Sequence, residues 1–174
     1  TRDDGWRFLI IGRRLERLCF LSNAISNFLS MASTRGSGSL EWLLELTDSI
    51  ITYRSRYSRS PELLPVLDLL VFDDSNPHGV IFQASVLARY LDRMARELGE
   101  TSESKLPEVL SRLRKFDLEK LVHQQFSECQ VCSPCAELAA LLKELEGAAI
   151  QLSEWLGMRY FTHVGDVSRQ TMAL

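Results

Sequence analysis

Apolar residues recur at spacings of three and four from Asp4 to Met31, and this rhythm predicts one long helix at the start of the chain. One face of that helix would carry Trp6, Leu9, Ile10, Arg13, Glu16, Arg17, Phe20, Ala24, Phe28 and Met31. The other apolar face would carry Phe8, Ile11, Leu15, Leu18, Ser22, Ile25 and Leu29. Because both faces are mainly apolar, we expect a central helix that is buried over most of its circumference.

Three charged residues, Arg13, Glu16 and Arg17, lie within the first of these apolar faces. A buried charge costs several kcal/mol unless it is paired and hydrogen-bonded. We therefore expect Glu16 to be buried between arginines and to have partners on other helices. Arg14 is expected on the solvent side of the same helix.

The remainder of the chain shows the same helical periodicity, and no segment alternates as a strand would. A turn is predicted at residues 73–79, where Asn76-Pro77 precedes Gly79 and the glycine would permit a positive φ. Gly147 and Gly157 are expected to allow close helix packing. Further helices are predicted from Ser39 to Tyr57, Leu63 to Phe72, Val80 to Gly99, Leu106 to Lys120 and Ser133-Pro134 to about Tyr160. These elements predict an all-α protein, an antiparallel bundle of about five to seven helices in which sequence neighbours are also spatial neighbours.

Composition restricts the class of protein. A net charge of −3 argues against a nucleic-acid binder, and no apolar run approaches the roughly 20 residues of a membrane helix. Four cysteines, three of them clustered, favour reduced thiols and a cytoplasmic location over a secreted disulfide framework. The first residue is Thr1, which suggests part of a longer polypeptide. No cofactor is expected.

The cysteine cluster is the one candidate metal site. Cys129, Cys132 and Cys135 have two successive Cys-x-x-Cys spacings, which could supply two or three ligands to zinc or an iron–sulfur cluster. A fourth cysteine is not nearby, and His123 could replace it only if the preceding segment folded back. We favour a helix junction without metal, and we expect Cys19 to be a small core residue.

A second candidate site combines the charges of the first helix with a tyrosine-arginine cluster. In one interpretation Glu16 bridges arginines in a structural network, with tyrosines and Asp73 taking the remaining donors. In the other, guanidinium groups bind a phosphate or a peptide carboxylate, and the tyrosines complete the pocket. The residues concerned are Arg13, Glu16, Arg17, Tyr53, Arg54, Arg56, Tyr57 and Asp73. His78, His123 and His163 form no recognisable pattern with a nucleophile, so an enzyme is the weaker hypothesis.

Four motifs, in the same order, resemble those of the alpha-E family of helical domains, which is named for a Glu-Arg signature. They are Gly12-Arg13-Arg14-Leu15-Glu16-Arg17, Tyr53-Arg54-Ser55-Arg56-Tyr57, Leu67 to Asn76-Pro77, and Arg159-Tyr160-Phe161-Thr162-His163. Arg14 departs from the family pattern, which usually has tyrosine there. The resemblance adds Asn76 to the candidate positions, and it implies that this chain is the second half of a longer alpha-E domain. It supplies no catalytic residue.

The resemblance also implies a setting. Alpha-E domains resemble accessory partners of circularly permuted ATP-grasp proteins and of transglutaminase-like peptidases, in systems that make or modify peptides. We therefore predict a non-catalytic accessory or interaction domain, and the alternative is a helical enzyme domain that binds a carboxylate or phosphorylated substrate. The expected partners are an ATP-grasp protein, the other half of the domain, a transglutaminase-like peptidase or a second copy of this chain.

Overall fold

A computed structural model describes residues 2–31, 37–98, 104–121 and 134–161 of the protein. Within these ranges the chain is all-α and contains no strand, as predicted. A π-helical turn, Asp68–Phe72, continues the fourth helix, and a 3₁₀ turn, Leu118–Leu121, follows the sixth. The α-helices are α1 (Arg2–Ser30), α2 (Ser37–Leu46), α3 (Ile50–Tyr57), α4 (Leu63–Leu67), α5 (Val80–Leu98), α6 (Leu106–Arg114) and α7 (Pro134–Tyr160).

Helix α1 is central and runs antiparallel to both α5 and α7. The ring of Phe8 lies 4.9 Å from that of Tyr160 at one end of the α1–α7 pair. Toward the other end the Asn23 side chain donates a hydrogen bond of 2.8 Å to Glu146. The first contact joins the beginning of α1 to the end of α7, and the second joins the later part of α1 to the middle of α7, so the two helices run in opposite directions.

Helix α6 completes an up-and-down arrangement with the other long helices. Arg114, at its end, donates to Ser85 near the start of α5, and Arg112 pairs with Glu144 of α7. The antiparallel bundle is thus confirmed. The expectation that sequence neighbours are the main spatial neighbours is wrong for α1, because its largest interface is with α7, the last helix described. No helix in the described ranges is both long and apolar enough to cross a bilayer.

The two apolar faces of α1 differ in burial, because the second is buried, whereas the first is exposed along much of its length and buried at Phe28. The leucine and isoleucine side chains on the second face are at most 6% exposed, and Ile11, Leu18 and Ile25 are at most 2% exposed. On the first face, Trp6, Leu9, Phe20 and Met31 are 59%, 52%, 39% and 54% exposed. We call these four residues, with Arg13 and Glu16 between them, the α1 stripe.

The prediction that α1 is buried over most of its circumference is therefore wrong, and so is the predicted burial of Glu16. Arg13 and Glu16 are both exposed. Burying the uncharged leucine-isoleucine face leaves these two charges in water, whereas burying the other face would have required their desolvation. The exposed α1 stripe follows from that choice.

The helix predicted from Ser39 to Tyr57 is interrupted at Thr47-Asp48-Ser49. Asp48 has a positive φ of 56°, and the N–H of Ser49 donates to the carbonyl of Leu44 at 2.8 Å. The Thr47 hydroxyl donates to the carbonyl of Leu43 at 2.9 Å. Small polar side chains compete in this way for backbone hydrogen bonds, and here they separate α2 from α3.

The predicted turn at 73–79 is present, but Gly79 does not have a positive φ. A Cβ on Gly79 would lie 3.2 Å from the carbonyl oxygens of both Asp73 and Asn76, so close backbone packing requires the glycine. The buried Asn76 side chain donates to the carbonyl of Leu69 at 2.9 Å.

Two smaller predictions about helices need correction. Gly147 and Gly157 face open space, since a Cβ on either would meet no atom within 4 Å, and they do not mediate close packing. The helix predicted from Leu106 to Lys120 ends at Arg114, and the chain continues into the 3₁₀ turn.

Candidate functional site

A surface pocket of about 590 Å³ lies along the middle of α1. Arg13 and Glu16 line it, and neither forms an ion pair or a hydrogen bond with any other side chain in the described ranges. The network in which Glu16 bridges arginines is thus not formed. The lining residues are Ile10, Arg13, Arg14, Glu16, Arg17, Phe20 and Gln83.

Arg17 connects α1 to two loops. Its Nη2 atom donates to the backbone carbonyl of Thr47 at 2.9 Å and lies 3.3 Å from Asp48 Oδ2. The same atom lies 3.1 Å from Nδ1 of His78, in the turn before α5. Its Cζ lies 5.7 Å from the ring centroid of Phe20. Because all three polar contacts use Nη2, no described residue bonds to the Nε or Nη1 atom of Arg17, and both can donate to a ligand.

Arg14 was expected in solvent, but it is partly buried between α1 and α5. Its Nη1 atom donates to Gln83 Oε1 at 2.9 Å, and its Cζ lies 5.6 Å from the ring centroid of Phe82. Gln83 is only 3% exposed and donates through its amide nitrogen to the carbonyl of Pro77. Sequence reasoning missed Gln83, although a polar residue next to the buried Ala84 was a usable signal.

The tyrosine-arginine segment contributes to a second cluster, on α3 and the 73–79 turn. Arg56 pairs with Asp73, and the backbone N–H of Ser75 donates to Asp73 Oδ1 at 2.8 Å. Partial burial alone would raise the pKa of Asp73. Hydrogen bonds from the Ser75 hydroxyl and N–H, together with the Arg56 guanidinium, outweigh that effect and hold the pKa below its ordinary value.

The two tyrosines of α3 pack on each other and bond to nearby residues. Their ring centroids are 4.9 Å apart. Tyr53 is buried, and its hydroxyl accepts a hydrogen bond of 3.2 Å from the backbone N–H of Glu62. The Tyr57 hydroxyl donates to Asp68 at 3.3 Å. Burial first, and then the Asp68 carboxylate, raise the pKa of Tyr57.

The predicted site residues are therefore divided between two places. Arg13, Glu16 and Arg17 share the pocket, whereas Tyr53, Arg54, Arg56, Tyr57, Asp73 and Asn76 are not among its lining residues. Arg54 pairs with Glu41 on the surface, at 3.6 Å. The four guanidinium groups that the pocket interpretation would bring together do not converge, and Asp73 binds Arg56 instead of an arginine of α1. The two places are connected through the 73–79 turn, which contacts Arg17 at His78 and Arg56 at Asp73.

The candidate metal site falls largely outside the described ranges. The residues outside the described ranges are Cys129, Cys132, His123 and also His163. Cys135 is described, and it is buried at the start of α7. Among the residues that are described, no three His, Cys, Asp or Glu side chains are grouped to hold a metal ion. The metal-free interpretation stays a prediction. Cys19 packs against the core, as expected.

Residues 1–161 match the model of a family described as Alpha-E, a predicted alpha-helical domain with a conserved ER motif. The chain belongs to the Alpha-E family. The uncharacterized proteins Rv2567 of Mycobacterium tuberculosis and Mb2597 of Mycobacterium bovis are each 27% identical to this Alpha-E chain over 161 residues. Each alignment covers 90% of this chain and 17% of the relative, so the chain spans about a sixth of the length of these proteins. No solved structure matches it significantly.

Glu16-Arg17 is the only Glu-Arg dipeptide in this Alpha-E sequence, so it is the ER motif of the chain. The structure gives its two residues different roles. Arg17 holds α1 against the Thr47–Asp48 break and the turn at His78, whereas Glu16 lies in the pocket without a partner in the described ranges. The motif therefore combines one residue that stabilises the fold with one that is available for binding.

Proposed function

We propose that this Alpha-E domain is a non-catalytic interaction domain of an ATP-grasp-linked system that makes or modifies peptides. In this proposal the α1 stripe binds a circularly permuted ATP-grasp protein or domain. The observation that carries the proposal is the exposure of Trp6, Leu9, Phe20 and Met31 along one face of the central helix. Large exposed apolar patches on a protein surface usually mark an interface.

The composition of the α1 stripe supports protein binding. Tryptophan and arginine are the residues most often found to dominate binding energy at interfaces, and the stripe contains Trp6 and Arg13. Arg13 and Glu16 lie between the apolar residues, where an oppositely charged partner surface could set the register of docking. A face of this kind suits a partner that is itself partly apolar and carries both signs of charge.

An enzyme that uses an arginine-tyrosine pocket has less support. Arg56 and Tyr57 bond to aspartates of their own cluster, and Tyr53 bonds to the chain around Glu62. None of the three lines the pocket on α1. We therefore expect no ATP hydrolysis by this chain alone.

The identity of the partner rests on the family resemblance, not on the geometry. The two mycobacterial relatives are much longer than this chain, so partner domains within such proteins would lie outside the aligned region. The other half of an Alpha-E domain, a transglutaminase-like peptidase and a second copy of this chain are competing occupants of the α1 stripe. The proposed setting is the cytoplasm.

The proposal is tested by mixing the chain with the ATP-grasp protein and following complex formation by light scattering and calorimetry. Leu9→Asp, on the α1 stripe, should weaken the complex at least about tenfold, because it places a charge in an apolar contact. Ile51→Asp is the matched control, since Ile51 is an exposed apolar residue of α3. The affinity of the Ile51→Asp variant for the ATP-grasp protein should equal that of the unaltered chain.

Two results would contradict this function. One is that the chain does not bind the ATP-grasp protein. If it then forms a complex only with one of the competing occupants, the α1 stripe would be reassigned to that occupant. The other is ATP turnover by the isolated chain that Arg13→Ala abolishes without loss of folding. Arg13 suits that test better than Arg17, whose contacts with Thr47 and His78 contribute to the fold.

A further inference from the structure

The pocket on α1 has an unbalanced set of charges. Among the described residues, three guanidinium groups, of Arg13, Arg14 and Arg17, line it together with one carboxylate, of Glu16. The chain as a whole is negative, with a net charge of −3. Arginines four residues apart, such as Arg13 and Arg17, repel one another on a helix surface. A bound anion would remove that repulsion.

Two of the arginines can donate hydrogen bonds into the pocket. Within the part of the chain that the structure describes, the hydrogen bonds of Arg17 all use Nη2, which fixes its position and leaves Nε and Nη1 for a ligand. Arg13 forms no ion pair or hydrogen bond with another side chain in the described ranges, so its whole guanidinium group is available. Guanidinium groups bind carboxylates through paired, parallel hydrogen bonds.

Glu16 determines which anion is suitable. It lies three residues after Arg13 on the same face of α1, yet the two side chains form no ion pair. A carboxylate in the pocket would repel a doubly charged phosphate, but it would attract the ammonium group of a ligand that also carries a carboxylate. Ile10 and Phe20 provide apolar surface for the remainder of such a ligand.

We propose that this pocket binds a free amino acid or a short peptide. The ligand carboxylate bonds to Arg13 and Arg17, its ammonium group lies against Glu16, and an apolar side chain contacts Ile10 and Phe20. Groups three and four residues apart on a helix are close enough to hold both ends of an α-amino acid or a dipeptide at once. This binding site goes beyond the interaction function, since it requires no partner protein. Arg13, Glu16 and Phe20 also belong to the α1 stripe, so the small ligand and the partner protein would compete for them.

The experiment uses the isotope-labelled chain alone and records backbone amide shifts by NMR. The probes are the dipeptide leucyl-leucine, its N-acetyl form without the ammonium group, its amide without the carboxylate, and inorganic phosphate. We expect leucyl-leucine to saturate shifts at residues 10–20 and at Gln83, with a Kd of about 1 mM or tighter. Each blocked form and phosphate should bind at least about tenfold more weakly.

Variants separate the pocket from general charge effects. Arg13→Gln and Glu16→Gln should each weaken leucyl-leucine binding at least about tenfold. Arg89→Gln, at an exposed position on the outer side of α5, is the matched control and should leave binding unchanged. Folding of each variant is checked by circular dichroism, because all three positions are exposed and should tolerate the change.

The proposal is overturned if leucyl-leucine produces no saturable shifts. It is equally overturned if phosphate or the N-acetyl form binds as tightly as leucyl-leucine, since Glu16 would then play no part, or if Arg89→Gln weakens binding as much as Arg13→Gln. None of these results bears on the interaction function, which is measured with the partner protein.

Discussion

Replacing Leu18 by alanine tests which face of α1 is buried. Leu18 is fully buried, at 0% exposure, on the face that packs into the bundle. Leucine-to-alanine changes at such sites cost about 3 to 5 kcal/mol, because apolar contact is lost and a cavity remains. With a urea m-value of about 2 kcal/mol/M, the midpoint of unfolding should fall by about 1.5 to 2.5 M.

Leu9→Ala is the matched control, with the same chemical change on the same helix. Leu9 is 52% exposed, so the expected change in unfolding free energy is within about 0.5 kcal/mol. Both variants are followed by circular dichroism in urea, at several protein concentrations, so that self-association is recognised by its concentration dependence. Equal losses of stability in the two variants at low concentration would show that both faces of α1 are buried and would refute the fold as described.

Other changes test individual contacts. Arg14→Ala should lower the free energy of unfolding by about 1 to 3 kcal/mol, because it leaves the buried Oε1 atom of Gln83 without a donor. Glu16→Ala, at an exposed position, should be nearly neutral. Urea unfolding measures both variants, and a larger loss for Glu16→Ala would contradict the geometry. The pKa of Asp73 is lowered in the folded state, so the ionised carboxylate stabilises the fold at pH values above its ordinary pKa. This contribution is lost as the pH falls below about 4. Thermal unfolding against pH should show a smaller acid loss for Asp73→Asn than for the wild type, and equal losses would remove Asp73 as a cause. Gly79→Ala should lower the melting temperature, because the added Cβ meets two carbonyl oxygens at 3.2 Å. Gly12→Ala, at an exposed position of α1, should raise the free energy of unfolding by about 0.5 to 1 kcal/mol and with it the melting temperature.

The sequence was sufficient to predict the helical class, the turn before α5 and the family. Helix α5 shows why, because one stripe of its residues is consistently apolar. Val80, Ala84, Leu87 and Leu91, at spacings of three and four, are buried, and Arg89 on the outer face is exposed. When one face is clearly apolar and the other charged, periodicity alone determines the orientation of a helix.

Helix α1 shows where such reasoning fails. It has two apolar faces, and periodicity does not state which one the other helices cover. The charges of Arg13 and Glu16 are evidence that the first face stays in water. However, three charged residues of both signs on one face are also consistent with a buried ion-pair network, which is the opposite interpretation. Which face of α1 is buried depends on how α5 and α7 pack against it, and the sequence of α1 alone does not specify that packing.

The candidate site was only partly predictable for a similar reason. Arg13, Glu16 and Arg17 lie together because they belong to one helical turn or its neighbour. Gln83 joins them from α5, and Arg56 is drawn to Asp73 instead, through tertiary contacts that spacing does not reveal. The interruption at Asp48, which provides two of the partners of Arg17, depends on backbone bonds of small polar residues.

Methyl cross-saturation NMR on a complex with the proposed ATP-grasp partner tests the central claim most directly. Irradiating the partner should attenuate the methyl signals of Leu9, on the exposed α1 stripe, and leave those of Leu18, inside the bundle, unchanged. Attenuation at Ile51 of α3 in place of Leu9 would contradict the claim, because the partner would then bind a different face of the domain.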